Sequence, residues 1–230
     1  MNYFIKHKKI FIFIILIVGV VIFSLLNTLE IDGKYYSRFC TDVDINCCTD
    51  KDAEKLKTMP FVTKLFIFNC QTNDISFVEN MPFLSSLDSN IFNGDLSPII
   101  KCTNLKSFGS ESCVINDFTY FSELNKLEEL WFGLFIPDVK IYSLKGIEKV
   151  TSLKIINLSG VKQKEPIDLK GLDELESLFI GYSDIVSLNI ECEKINTVFL
   201  QKNPDLQKCT FSNKCDNLEE IRIHGCQYNY

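Results

Sequence analysis

His224 stands two residues before Cys226, a spacing at which a thiol and an imidazole could form a nucleophile and its base. Cys47 and Cys48 are adjacent in a chain of ten cysteines, and cysteine pairs are common metal ligands. Glu128-Glu129 and Glu219-Glu220 are paired carboxylates, the residue type of general acid–base work. Each constellation lacks its complement. No third group orients a Cys–His pair, and Cys47-Cys48 has neither the two-residue spacer of a zinc pair nor a second pair to complete a tetrahedron. The ten glycines are scattered, so no phosphate-cradling loop is present. No catalytic residue, no metal and no cofactor is therefore expected, and the chain reads as a binding protein, not an enzyme. The residues with more to say are Phe66, Phe68, Trp131, Phe179, Tyr182 and Phe199, and the repeat that carries them gives them their meaning.

That repeat starts at Cys40, Val62, Leu84, Leu105, Leu127, Leu153, Leu175, Ile195 and Leu218. In each of these nine units the first, fourth and sixth residues are apolar, as in Leu127-Leu130-Phe132 and Leu175-Leu178-Ile180. Of 27 such positions only Ser89 and Ser110 are exceptions, where a composition 46% apolar would supply roughly 12 apolar residues. A period near 22 residues with this signature is that of a leucine-rich repeat, whose units cannot bury a core alone and must stack. Short parallel strands are predicted at the fourth to seventh residues of each unit, from 43–46 in the first to 221–224 in the last. Their inward residues form the core and their second, third, fifth, seventh and eighth residues face outward on a concave sheet.

The return limbs have their own period. An apolar residue stands three before each new unit, from Met59 to Cys215, and another six before it as far as Leu169. This step predicts 3₁₀ or one-turn helical segments, with a capped α-helix over residues 53–59 behind Thr49. In the last two units the alternation Val186-Leu188-Ile190 and Cys209-Phe211 predicts strands instead. Cys48, Cys70, Cys113 and Cys226 hold the ninth position, where a thiol can donate to a buried loop carbonyl. Cys102, Cys192 and Cys215 fill the apolar slot before a unit, and Cys40 opens one, so most cysteines read as small buried hydrophobes. Disulfides between neighbouring units, Cys48 with Cys70 or Cys192 with Cys215, are the alternative outside a cell.

With Met59–Asn80 and Met81–Lys101 as its matching stretches, the chain resembles the short-period bacterial leucine-rich-repeat class of internalin-like surface proteins. The resemblance covers residues 40–230 and implies a curved right-handed α/β solenoid with a parallel concave sheet. The ninth position departs from that class, being Asn only at Asn203.

The first 29 residues are of another kind. Lys6, Lys8 and Lys9 precede residues 10–29, which carry no charge, and Glu30 and Asp32 follow. Twenty helical residues span about 30 Å, enough for a bilayer core. The charge asymmetry orients a single-pass anchor with residues 1–9 in the cytoplasm and the repeat domain outside. Residues 30–39 then form a linker and 40–230 the repeat domain. A cleaved signal peptide, giving a secreted form, is the alternative. The net charge of −6 and the absence of a basic run beyond the N-terminus disfavour nucleic acid as a partner.

Outward aromatics on a concave sheet fill no core, and clusters of them usually mark an interface. The expected function is thus a membrane-anchored recognition module that takes a protein or peptide on its concave face. Phe66, Phe68, Trp131, Phe179, Tyr182 and Phe199 would be its anchors and Arg222, with Lys64, Glu128 and Glu220, would stand at the rim. A scaffold solenoid whose last unit stacks on a partner is the second reading.

Overall fold

Asp32 and Gly33 both take positive φ, 50° and 69°, as a two-residue type I′ turn requires. They join β1 (Thr28–Ile31) to β2 (Lys34–Ser37) in an antiparallel hairpin. This computed structural model describes residues 2–72, 74–90, 95–133 and 138–226, with side chains from residue 14 onward except that of Asp138. Residues 30–39, read above as a linker, therefore carry most of a cap. Ile31 is fully buried, and the Asp32 carboxylate accepts hydrogen bonds from the amides of Asn46 (2.7 Å) and Cys47 (3.2 Å). The Tyr36 hydroxyl donates to the Asp44 carbonyl, which locks the hairpin over the first unit.

Before the hairpin runs α1 (Asn2–Leu26). It stops where Asn27 Nδ2 and Thr28 Oγ1 turn back to the carbonyls of Phe23 (2.8 Å) and Ser24 (2.7 Å). The uncharged helix thus covers residues 10–26 and not 10–29, because the last three residues of that span enter the turn and β1. At 1.5 Å per residue this is about 25 Å. Among the described residues no helix is long and apolar enough to cross a membrane. From Ile14 to Leu26 every residue of α1 is exposed.

Nine concave strands follow among the described residues, each starting one residue before its predicted place and the last four ending where predicted: β3 (Asp42–Ile45), β4 (Lys64–Ile67), β5 (Ser86–Ser89), β6 (Ser107–Ser110), β8 (Glu129–Phe132), β10 (Ile155–Ser159), β12 (Ser177–Gly181), β14 (Thr197–Gln201) and β16 (Glu220–His224). They form one parallel sheet in chain order. Inward residues such as Leu127, Leu130, Phe132, Leu175, Leu178 and Ile180 are fully buried. Ser89 and Ser110 hold the inward sixth position as well, both at 0% exposure. Phe108, Phe118, Phe121 and Phe132 pack as tilted and edge-to-face rings with centroids 5.5–6.5 Å apart, and fill the middle of the core. At the C-terminal edge Ile221 points inward by register yet remains 47% exposed, because no further unit among the described residues stacks on β16.

On the convex side, α2 (Asp50–Leu56) begins with the capping box of Thr49 and Asp52. Among the described residues four 3₁₀ segments follow, at Ser76–Asn80, Ser97–Lys101, Thr119–Glu123 and Ile147–Lys149. Three of them start on the same device: Asp74, Asp95 and Asp117 accept from the amide two residues ahead at 2.8–2.9 Å. The predicted helical step at Leu169 is not realised. Ile167–Lys170 is instead β11, whose residues alternate buried and exposed behind Pro166, and it heads a parallel sheet with β13 (Ser187–Glu191) and β15 (Lys208–Phe211). A two-residue apolar alternation suits a strand, and the switch to strands comes one unit earlier than the sequence suggested. Ser112–Ile115 of the fourth unit (β7) and Asp138–Ile141 of the long fifth unit (β9) form a separate parallel pair. Residues 134–137 of the fifth unit, which runs 26 residues from Leu127 to the next start at Leu153, lie outside the described residues.

The thiols serve the stacking. Cys48 and Cys70, both thiols, lie opposite each other in a parallel bridge. Cys102, Cys192 and Cys215 donate to the carbonyls of Val78 (3.5 Å), Leu169 (3.7 Å) and Ile190 (3.4 Å), each in the preceding unit. Asn203 does more in the ninth position than cysteine can. Its Nδ2 donates to the Ile180 carbonyl (2.9 Å) while its Oδ1 accepts from the Ser183 amide (3.1 Å).

Candidate functional site

The concave face is built by register. Phe66 pairs with Asp88, Asp88 with Gly109, Gly109 with Trp131, Trp131 with Asn157, Asn157 with Phe179, Phe179 with Phe199, and Phe199 with Arg222. One column therefore crosses the whole sheet, with adjacent members about 4.8 Å apart.

Within that column the aromatics fall into two groups. Phe66 and Phe68 meet at 5.8 Å near the N-terminal end. Phe179 and Phe199 meet edge to face at 5.3 Å, and Phe199 meets the His224 ring at 5.8 Å. Tyr182 lies beside the second group with Lys202 Nζ 4.8 Å over its ring. Arg222 also stands here, its guanidinium 2.5 Å from Glu220. Trp131 belongs to neither group.

The rings do not stand free of the sheet. A Cβ added at Gly109 would lie 1.8 Å from Cε2 of Trp131, so the indole lies flat across that glycine on the neighbouring strand. A Cβ at Gly181 would come within 2.6 Å of the Phe179 ring in the same way. Phe66, Trp131, Phe179 and Phe199 are accordingly half-buried, while Phe68 is 59% exposed and Tyr182 36%. The covering comes from glycines and neighbouring rings on the sheet itself. Along the flank, Glu128 bridges Lys106 (3.2 Å) and Lys154 (2.9 Å), and these lysines hold its carboxyl below the usual range. His224 is exposed and packs on Phe199, while the Cys226 thiol donates to the His224 carbonyl.

Sequence reasoning missed one part of the face. A hollow of about 370 Å³ opens at the N-terminal end, lined by Tyr36, Asp42, Asp44, Lys64, Phe66 and Asp88 among others. Burial, and then the nearby Glu111 carboxylate, push the Asp88 carboxyl up to about 7. Asp44 and Asp88 occupy the same outward column as Phe66, so the column could have shown them. Tyr36 could be placed only through the Asp32-Gly33 turn, which is a hairpin signal in its own right. Among the described residues no cluster of His, Cys, Asp and Glu could hold a metal ion.

No protein-family model matches the chain, and no curated protein matches it in sequence. Solved structures do. Internalin C2 of Listeria monocytogenes aligns at a TM-score of 0.53 over 86% of either chain, with 12% identity. TLR13, in a complex with ssRNA13, aligns at 0.53 over 82% of this chain and 28% of its own length, with 20% identity. At such identities the likeness is one of fold: the chain is a leucine-rich-repeat solenoid similar in architecture to the bacterial internalins.

Proposed function

We propose that this chain is a membrane-anchored recognition module that binds a protein or peptide on its concave face. One observation carries the reading: Phe66/Phe68 and Phe179/Phe199/Tyr182 form two aromatic groups on one outward face, with Trp131 between them in the column and Lys64, Glu128, Glu220 and Arg222 at the edge. Rings held against glycines lose little conformational freedom on binding, which suits them as anchors. The acidic hollow at Asp44 and Asp88 favours a ligand that brings a basic side chain to the N-terminal end.

The anchor reading rests on α1. A helix that is apolar all round and exposed along its described length needs a hydrocarbon environment or a partner to cover it. Lys6, Lys8 and Lys9 before it and Glu30 and Asp32 after it favour an outward-facing repeat domain. Although residues 10–26 make a short span, bilayers accommodate one by local thinning. Protease added to intact cells is expected to digest residues 30–230 and spare the first nine. Protection of the repeat domain, or its release into the medium, would contradict this topology.

The scaffold reading draws support from Ile221, 47% exposed on a strand that, among the described residues, is paired on one side only. It predicts assembly through β16 and leaves the aromatic column unused.

A further inference from the structure

Phe39, Phe61 and Phe83 each stand immediately before the first apolar residue of a unit, at the turn into the concave strand. They are 50%, 44% and 53% exposed. With Phe23 from the last turns of α1, they form one continuous ladder of rings, the centroids 6.0, 5.8 and 6.3 Å apart. Thr41 and Thr63 complete its surface, and no charged side chain lines it. From the fourth unit the same position changes character. Asn104 takes a hydrogen bond from Lys126 at 2.7 Å, and Glu174 pairs with Lys194 at 2.7 Å. One edge of the solenoid is thus aromatic in the three units nearest α1 and polar or charged beyond them.

We infer that this edge lies on the membrane surface, with Phe39, Phe61 and Phe83 seated at the headgroup–acyl boundary of the bilayer that receives α1. This rests on the anchor reading. Three exposed rings in a row are an apolar patch that water disfavours, and aromatic side chains are enriched at that depth of a bilayer. The ladder begins on α1 itself, so its apolar surface continues that of the helix without a break. Its four rings extend about 18 Å, more than the roughly 5–8 Å depth of one interfacial layer. All of them reach lipid only if the ladder lies along the membrane plane. The exported part carries a net charge near −9, the three N-terminal lysines being removed from a total of −6. Attraction to anionic lipid therefore adds nothing, and the contact is apolar.

The test uses the full chain with Trp131→Phe, so that a single tryptophan can be placed in turn by Phe23→Trp, Phe61→Trp, Phe83→Trp or Lys126→Trp. Each variant is reconstituted into phosphatidylcholine vesicles with and without acyl-chain-brominated phosphatidylcholine. Tryptophans at 23, 61 and 83 are expected to lose most of their emission to the brominated lipid and to shift to shorter wavelength, while that at 126 does neither. Quenching at 23 alone, with 61 and 83 open to aqueous iodide, would overturn the inference and leave the anchor standing. Shielding of 61 and 83 from both quenchers would assign the ladder to a protein contact, a second copy included. No quenching at 23, 61 or 83 would remove the anchor and the ladder together. The unsubstituted chain gives an independent readout. On transfer to vesicles, hydroxyl-radical oxidation of Phe61 and Phe83 is expected to fall relative to Tyr120 and Tyr142, each 50% exposed.

Discussion

Asp88 shows how far one side chain's surroundings can move it. Its folded carboxyl titrates near 7 because burial, and then Glu111, oppose the charged form, whereas an unfolded aspartate titrates near 4. Between those values the folded chain binds more protons than the unfolded one, so stability falls as pH rises through this window. Asp88→Asn is expected to flatten that part of the profile and raise the melting temperature at pH 7 and above, as calorimetry across pH would show. An unchanged profile would mean that Asp88 is solvated. The thiols divide in the same way. Burial pushes Cys102, Cys113, Cys192 and Cys209 up to about 12, whereas the hydrogen bond from Cys48 lowers Cys70. Limited alkylation of the native chain, read by mass spectrometry, is expected to modify Cys70 ahead of these four, because the thiolate is the reactive form. Cys102→Ala should cost about 1–2 kcal/mol, the loss of a small buried side chain with no bridge broken.

At the scale of the element, each strand is a short alternation whose inward members are fixed by the units on either side. Leu130→Asp and Leu178→Asp would each place an unpaired carboxylate in a fully buried slot. Denaturant unfolding should show a loss of more than about 4 kcal/mol, or no folded protein at all. A wild-type midpoint for either would contradict the register. The strands were the most legible part of the sequence, because an L-x-x-L-x-L pattern has one geometric solution and stacking repeats it. Elements whose cause is local were harder to read. The β1–β2 cap depends on a two-residue turn within what composition marked as linker. The strand at Ile167–Lys170 was hard to read for the opposite reason: it depends on pairing with the next unit, since Leu169 fits a three-residue step as well as a two-residue one. The end of α1 at Leu26 is set by two side chains, Asn27 and Thr28, that hydropathy alone does not separate from the span.

At the scale of the whole molecule, the repeat predicted which side chains face outward but not how they lie there. That Trp131 would stretch across Gly109 depends on which residue the neighbouring unit presents, and that Phe179 would cover Gly181 depends on the residue two along its own strand. The pairing of Phe179 with Phe199 emerges only when the units stack. The edge ladder of Phe39, Phe61 and Phe83 was present in the sequence at a period of 22 residues. It stayed hidden because the position just before a unit has no role in the repeat's own core. The solenoid thus carries aromatic rings both on its concave face and along one edge of its first three units, the two surfaces that the proposals above assign to a ligand and to the bilayer.

The central claim, that the concave aromatics recognise a peptide or protein, is tested most directly by selecting peptides from a random display library on the full chain in phosphatidylcholine vesicles. The selected peptides are then titrated against Phe68→Ala, Phe179→Ala and, as a control off this face, Lys162→Ala. Phe68 and Phe179 truncations are expected to weaken binding by about 2 kcal/mol, roughly 30-fold, as lost interface anchors do, with Lys162→Ala neutral and the melting temperatures of all three close to wild type. Unchanged affinity in the two phenylalanine variants, or a large loss of stability with binding intact, would contradict the claim.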